Sequence, residues 1–262
     1  MVTSILKDKK NSLFIILSGI FITNALIAEL IGGKIFSAEK SLGFQPLDIP
    51  LFGDFLLQFN LTAGVVLWPV VFITTDIINE YFGKKGVQRI TFITVGLITY
   101  AFLVIYLAMK LAPADFWLSV NATNEQGQAF DINYAFEKVL SQGLNIIFAS
   151  LVAFVIGQLV DVSVFHRLRK MTGPKRIWLR ATGSTLISQL IDSFVVLFVA
   201  FYFLGPWSIT QVLAVGLTNY IYKFLIAILL TPILYVAHYL IDNYLGKETA
   251  EAMMAEASSQ DT

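Results

Sequence analysis

The chain has no cysteine and only two histidines in 262 residues. The first absence excludes disulfides, thiolate catalysis and cysteine-ligated metals, but says nothing about compartment. Charge is scarce as well: 14% of residues are charged, where a soluble domain carries nearer a quarter. Basic and acidic residues balance at 18 each, so the surplus of Lys and Arg that nucleic-acid binding calls for is missing. No metal-ligand spacing, phosphate-binding glycine loop or nucleotide motif is found, and no cofactor is implied. Neither Ser184, which lacks a nucleophile motif, nor His166 and His238, which lie toward helix ends, suggests an enzyme.

What is abundant is apolar. The chain is 56% hydrophobic with 22 Phe, and its mean hydropathy is +0.73. It reads as an all-α integral membrane protein with six transmembrane helices at about 12–33, 60–82, 89–110, 141–165, 182–204 and 209–240. The last is long enough to tilt or to break near Pro232. The first span runs too long, and too polar at its end, for a cleaved signal peptide. Residues 36–59, with Gly43, Pro46, Pro50 and Gly53, read as a compact turn or re-entrant hairpin. Residues 113–138 read as a polar loop with a short amphipathic helix from Asn133. The whole makes one domain, 1–246, followed by a polar flexible tail, 247–262.

Lys and Arg set the orientation. With the N-terminus inside, inner segments hold thirteen of them and outer segments four, which places both termini in the cytoplasm.

Inside the spans the polar residues are few and grouped. Residues 182–203 form a span whose first half carries Ser184, Thr185, Ser188, Gln189, Asp192 and Ser193 on one helical face. Asp192 sits near mid-bilayer, where a carboxylate is kept only if a partner, water or ligand satisfies it. Asp76, Asn79, Glu80 and Gly83 share a face of the second span. Glu80 is near enough to the edge to be merely solvated. Gln-Leu-Val-Asp at 158–161 and Gln-Leu-Ile-Asp at 189–192 set an amide one turn from a carboxylate on two helices, a pairing that chance could also produce. Read functionally, it points to an inverted repeat with a site between its halves. Glu29 lies near the outer end of the first span. Lys223 lies too deep to snorkel, so it needs either a structural ion pair with Asp76, Asp161 or Asp192, or a ligand. Four carboxylates against one lysine leave an acidic surplus suited to a substrate rich in N–H donors. Trp68, Phe72, Phe194, Tyr220 and Tyr222 are candidates for an aromatic slot.

Three blocks, TDIINEYFGKK after a Trp-Pro span, GQLVDVSVF before a basic connection, and RATGSTLISQLIDSFV, resemble the signature blocks of the queuosine precursor transporter family. These are small six-span bacterial membrane proteins also grouped with vitamin-uptake carriers. The resemblance covers about 13–245. It implies a multi-pass protein of the bacterial inner membrane that imports 7-deazaguanine bases, such as the nitrile and amine precursors of queuosine, for tRNA modification. The substrate residues it implies are Asp76, Asn79, Glu80, Gln158, Asp161, Ser188, Gln189 and Asp192, to which the charge argument adds Lys223. Partners are then the small-molecule substrate and the lipid bilayer, with no nucleic acid; homo-oligomerisation stays open. The alternative is the substrate-binding subunit of an energy-coupled vitamin importer, which would need a docking face of small residues such as Ala25 and Ala28.

Overall fold

A computed structural model describes residues 8–50, 56–172, 177–203 and 207–259. Gly53, three of the basic residues counted for the orientation (Lys7, Lys175 and Arg176) and the last residues of the tail lie outside them. Among the described residues five helices are long and apolar enough to cross a membrane, and the protein is a multi-pass, mostly helical membrane protein. Helix α1 spans Lys9–Ile31, capped by Asp8, whose side chain accepts the Lys10 N–H. A small β element follows: β1 (Ile35–Ser37) pairs antiparallel with β4 (Asn60–Thr62), and β2 (Ile49–Pro50) with β3 (Leu56–Leu57). Between β1 and β2 a single helical turn, α2 (Ala38–Ser41), starts at Ser37. A 3-10 turn, Ala63–Val66, then leads into α3 (Trp68–Met109). The connection after α3 contributes α4 (Asp115–Val120). Helices α5 (Ile132–Thr172), α6 (Ile177–Leu197, continuing as a π-helix over Phe198–Phe203), α7 (Ile209–Leu245) and α8 (Lys247–Ser259) complete the chain.

Several sequence expectations need correction. Residues 60–66 are strand and 3-10 turn rather than the start of a span. The break expected over 83–88 shrinks to Gly83 alone, at φ 69° and ψ −174°. A Cβ on Gly86 would lie 3.4 Å from Ile78 Cγ2, whereas residues eight apart on a straight helix are about 12 Å apart along the axis. The chain therefore turns sharply at Gly83. Asn133 opens the long α5 instead of a separate short helix. Helix α7 runs unbroken through Pro232.

The tail expected to be flexible is also helical. Helix α8 buries Ala250, Met253 and Ala257, because alanines and methionines spaced three or four apart give an otherwise polar segment one apolar stripe. Arg169 Nη2 donates to the Met254 carbonyl at 2.7 Å and ties α8 to α5. Ala25 and Ala28 are buried. A Cβ on Gly64 would meet the Ala28 carbonyl oxygen at 2.4 Å, so the small-residue face of α1 already receives the backbone of the 3-10 turn.

The core runs along the inner faces of α1, α3 and α5, with Phe21, Val71, Ile78, Tyr81, Val87, Ile90 and Phe165 essentially inaccessible. Outward faces carry exposed Ile20, Phe92, Leu107, Leu229, Val236 and Leu240. Such an apolar exterior suits lipid, not water.

Candidate functional site

Helices α5 and α6 are antiparallel, and three contacts give their register. Gly157 lies beside Asp192, whose Cβ would be 3.6 Å from an added Cβ; Asp161 meets Ser188; Gly183 packs on Leu168. Gly157 thus leaves the room in which the Asp192 side chain sits. The two Gln-Leu-x-Asp segments lie antiparallel to one another, each carboxylate opposite the small residue that precedes the glutamine of the other segment.

Helix α3 adds its own polar face. Thr75 Oγ1 donates to Gln158 Oε1 at 3.5 Å and to the Val71 carbonyl at 2.9 Å. Asn79 is wholly buried, and neither atom of its amide finds a hydrogen-bond partner among the described residues. The same holds for Gln189 Oε1 and Ser193 Oγ. Asp161 Oδ1 accepts from Ser188 Oγ at 3.1 Å. Lys223 Nζ lies 2.5 Å from Asp192 Oδ2, with both side chains mostly buried. Of the three carboxylates open to Lys223 in the sequence, Asp192 is the one it engages.

A cleft with about 500 Å³ of empty space, part of it open solvent, lies between three helices. Trp68, Phe72, Ile73 and Asp76 line it from α3, Thr182 and Thr185 from α6, and Tyr222, Lys223, Ile226, Leu230 and Thr231 from α7. Each set follows helical three- and four-residue spacing, so each helix offers one stripe. Thr182 and Thr231 hydroxyls, 3.2 Å apart, join α6 to α7 across the wall. The cleft is apolar over most of its surface, with a carboxylate, an ammonium, three threonine hydroxyls and the Tyr222 phenol as its directional groups, a make-up common to small-molecule sites.

Of the nine residues singled out in the sequence, Asp76 and Lys223 line this cleft directly. Asp192 reaches it through Lys223, and Ser188 lies one turn past the cleft residue Thr185. Gln158, Asp161 and Gln189 stand behind the α6 wall, and Asn79 lies one turn beyond Asp76. Glu80 is elsewhere: it pairs with Arg169 at 3.5 Å, and Arg169 Nη1 also donates to the Asn79 and Glu80 carbonyls at 3.4 Å each. That guanidinium satisfies carbonyls left open where α3 turns at Gly83. Trp68, Phe72 and Tyr222 supply the aromatic lining, whereas Phe194 packs over Gly216 and Tyr220 lies beside Phe224. Thr182 and Thr231 were not anticipated. Hydroxyls in apolar helices most often bond back to their own backbone, as Thr231 does to Ala227, so nothing in the sequence marks the pair that turns inward.

Glu29 bonds Ser150 at 2.5 Å near the opposite end of α1 from Lys9. Tyr81 donates to Asp242 at 2.7 Å and lies 3.0 Å from His238 Nδ1. Neither group touches the cleft. Among the described residues no three or more His, Asp or Glu side chains are grouped to hold a metal.

A "Probable queuosine precursor transporter" of Bacillus subtilis is 28% identical over 188 residues, covering 71% of this chain and 76% of that one. One of the same description from Haemophilus influenzae is 30% identical over 174 residues, 66% of each chain. The "Queuosine precursor transporter" of Escherichia coli is 29% identical over 179 residues, 66% of this chain and 70% of that one. No solved structure matches. The family described as "Putative vitamin uptake transporter" matches residues 62–237, a span that contains every residue of the cleft. The chain belongs to this vitamin uptake transporter family.

Proposed function

We propose that this protein imports queuosine precursors, the 7-deazaguanine bases, across the bacterial inner membrane. The observation that carries the reading is the cleft itself: flat aromatic walls from Trp68, Phe72 and Tyr222, with Asp76 and Lys223 as its charged groups. A 7-deazaguanine is a flat ring system with a ring N–H beside an exocyclic amine on one edge and a carbonyl next to them. Asp76 suits the paired donors and Lys223 the carbonyl, while the rings stack on the aromatic walls. Asp192 holds Lys223 in place, and Asn79, Gln158, Asp161, Ser188 and Gln189 form the polar layer behind. Glu80 is left out of the site, because Arg169 engages it at the turn. The names of relatives in three bacteria support the same substrate class.

The proposed topology has six spans. Helix α3, 42 residues, would be about 60 Å long if straight, twice the ~30 Å hydrocarbon core. The turn at Gly83 makes it two spans of opposite direction. Six spans put both termini on one side, and the lysine and arginine distribution makes that side the cytoplasm. Reporters fused near Gly127 and at the C-terminus test this by reporting opposite sides. The function is tested by expression in a strain unable to make or import the precursors, with queuosine in tRNA as readout. Restored queuosine is the expected result; none from any 7-deazaguanine refutes the assignment.

A further inference from the structure

Asp161 is only 6% exposed and lies behind the cleft wall. Its Oδ1 is 3.1 Å from Ser188 Oγ, and the hydroxyls of Ser184 and Thr185 face the same carboxylate. All three hydroxyl residues are buried. A carboxylate at this depth requires its charge to be compensated, not merely solvated. Two basic residues of the helices are engaged elsewhere: Lys223 with Asp192 and Arg169 with Glu80. Among the described residues Asp161 has no lysine or arginine within ion-pair distance.

The hydroxyl geometry is the second observation. Ser184 Oγ lies 3.1 Å from the Ala181 carbonyl and Ser188 Oγ 3.1 Å from the Thr185 carbonyl. A hydroxyl has one proton and two lone pairs. Ser184 and Ser188 can each donate to the helix carbonyl in place of Asp161, and the lone pair that this frees then faces a cation held at the carboxylate. On the same helix, Gln189 Oε1 is a buried carbonyl oxygen with no hydrogen-bond partner among the described residues. The result is a set of hard oxygen donors around one negative charge.

We propose that Asp161, with the hydroxyl oxygens of Ser184, Thr185 and Ser188, binds a sodium ion that is co-transported with the substrate. One carboxylate balances one positive charge, and calcium, magnesium and transition-metal sites draw on carboxylate or imidazole sets that are absent among the described residues. The close packing of the oxygens suits sodium over the larger potassium. Thr185 supplies the link to transport, since it faces Asp161 and also lines the cleft. A second link runs through Ser188, one turn from Asp192, and so to Lys223. Co-transport rests on the importer reading, whereas ion binding is measurable without any substrate.

The test is thermal unfolding of the purified full-length protein in detergent, in NaCl, KCl or choline chloride at equal ionic strength and without substrate. Sodium is expected to raise Tm saturably, as a ligand of the folded state does, and the shift is lost in Asp161→Asn but kept in Asn24→Ala, whose exposed amide is remote. Should Asp161→Asn fail to fold, Ser188→Ala is expected to need roughly tenfold more sodium for the half-maximal shift. Equal Tm in all three salts overturns the site. A pH-dependent shift equal in all three also overturns it, and assigns Asp161 a proton instead. In proteoliposomes, replacing external sodium by choline is expected to slow 7-deazaguanine uptake roughly 5- to 150-fold. A sodium-dependent Tm without 7-deazaguanine uptake keeps the ion site and refutes the importer reading; uptake indifferent to sodium refutes co-transport alone.

Discussion

At the scale of single residues, the Lys223–Asp192 pair decides how much of the site is architecture and how much is recognition. Removing one partner of a fully buried pair costs ~3–5 kcal/mol, and with Asp192 partly exposed about half that is expected for Lys223→Met, ~2 kcal/mol. Adding Asp192→Leu should restore stability without restoring transport, since the uncompensated charge is gone but Lys223 no longer lines the cleft. Thermal unfolding of the two variants in detergent separates these effects. Asp192→Asn is a different experiment. An amide is cheaper to bury than a carboxylate, so insertion stays normal, but Lys223 loses the charge that fixes it. Binding of 7-deazaguanines to purified protein should weaken by roughly 1.5–3 kcal/mol, one to two decades. Undiminished affinity would remove the pair from the site.

Two elements carry predictions of their own. The turn in α3 depends on one residue, because φ 69° with ψ −174° belongs to a region open almost solely to glycine. Gly83→Ala is expected to lower unfolding stability by ~1–3 kcal/mol, and a wild-type Tm for it would contradict the turn. The β element after α1 rests on Glu39. Burial pushes its carboxyl up, but the Phe59 N–H, 2.8 Å from Oε1, and the Ser37 hydroxyl, 3.0 Å from Oε2, together with further backbone donors hold it below the ordinary carboxylate value. A group depressed on folding stabilises above its unfolded pKa, about 4.3, and that contribution is lost as pH falls through the folded value. Protection of the Phe59 amide from exchange should therefore be high at neutral pH and fall on acidification below about 4, whereas Glu39→Gln, with no carboxyl to titrate, should have lower protection without that pH dependence.

Across the molecule, one arginine joins three elements. Arg169 on α5 meets Glu80 and two carbonyls at the α3 turn, and the Met254 carbonyl on α8. Arg169→Met should cost ~3–5 kcal/mol, because it strips a buried carboxylate of a counter-ion as well as removing the tie to the tail. Ending the chain after Gly246 removes only the tie and the small apolar stripe of α8, and should cost less. Unfolding both in the same detergent checks the order, and a truncation more harmful than Arg169→Met would make α8 the true support of this end.

Composition and periodicity alone determined that the protein lives in a membrane, because 56% apolar residues in long runs have no other solvent. They also marked the buried charges, since every carboxylate or lysine in an apolar helix is conspicuous by its cost. Which of those charges meet was not legible. Helical spacing gives a residue's angle on its own helix but not the rotation or slide of the neighbouring one. Lys223 could therefore have met Asp76, Asp161 or Asp192, and only the α6–α7 packing selects the last. The same ignorance of register hid the division of the polar residues into a cleft wall and a layer behind it. For Glu80, near the edge of its span, the sequence left solvation and a site role both open, and the fold instead gives it Arg169, 89 positions away. The tail was misread for a related reason: alone it is too polar to be a stable helix, and the surface that orders it is built from α3 and α5, which only the tertiary structure brings to it.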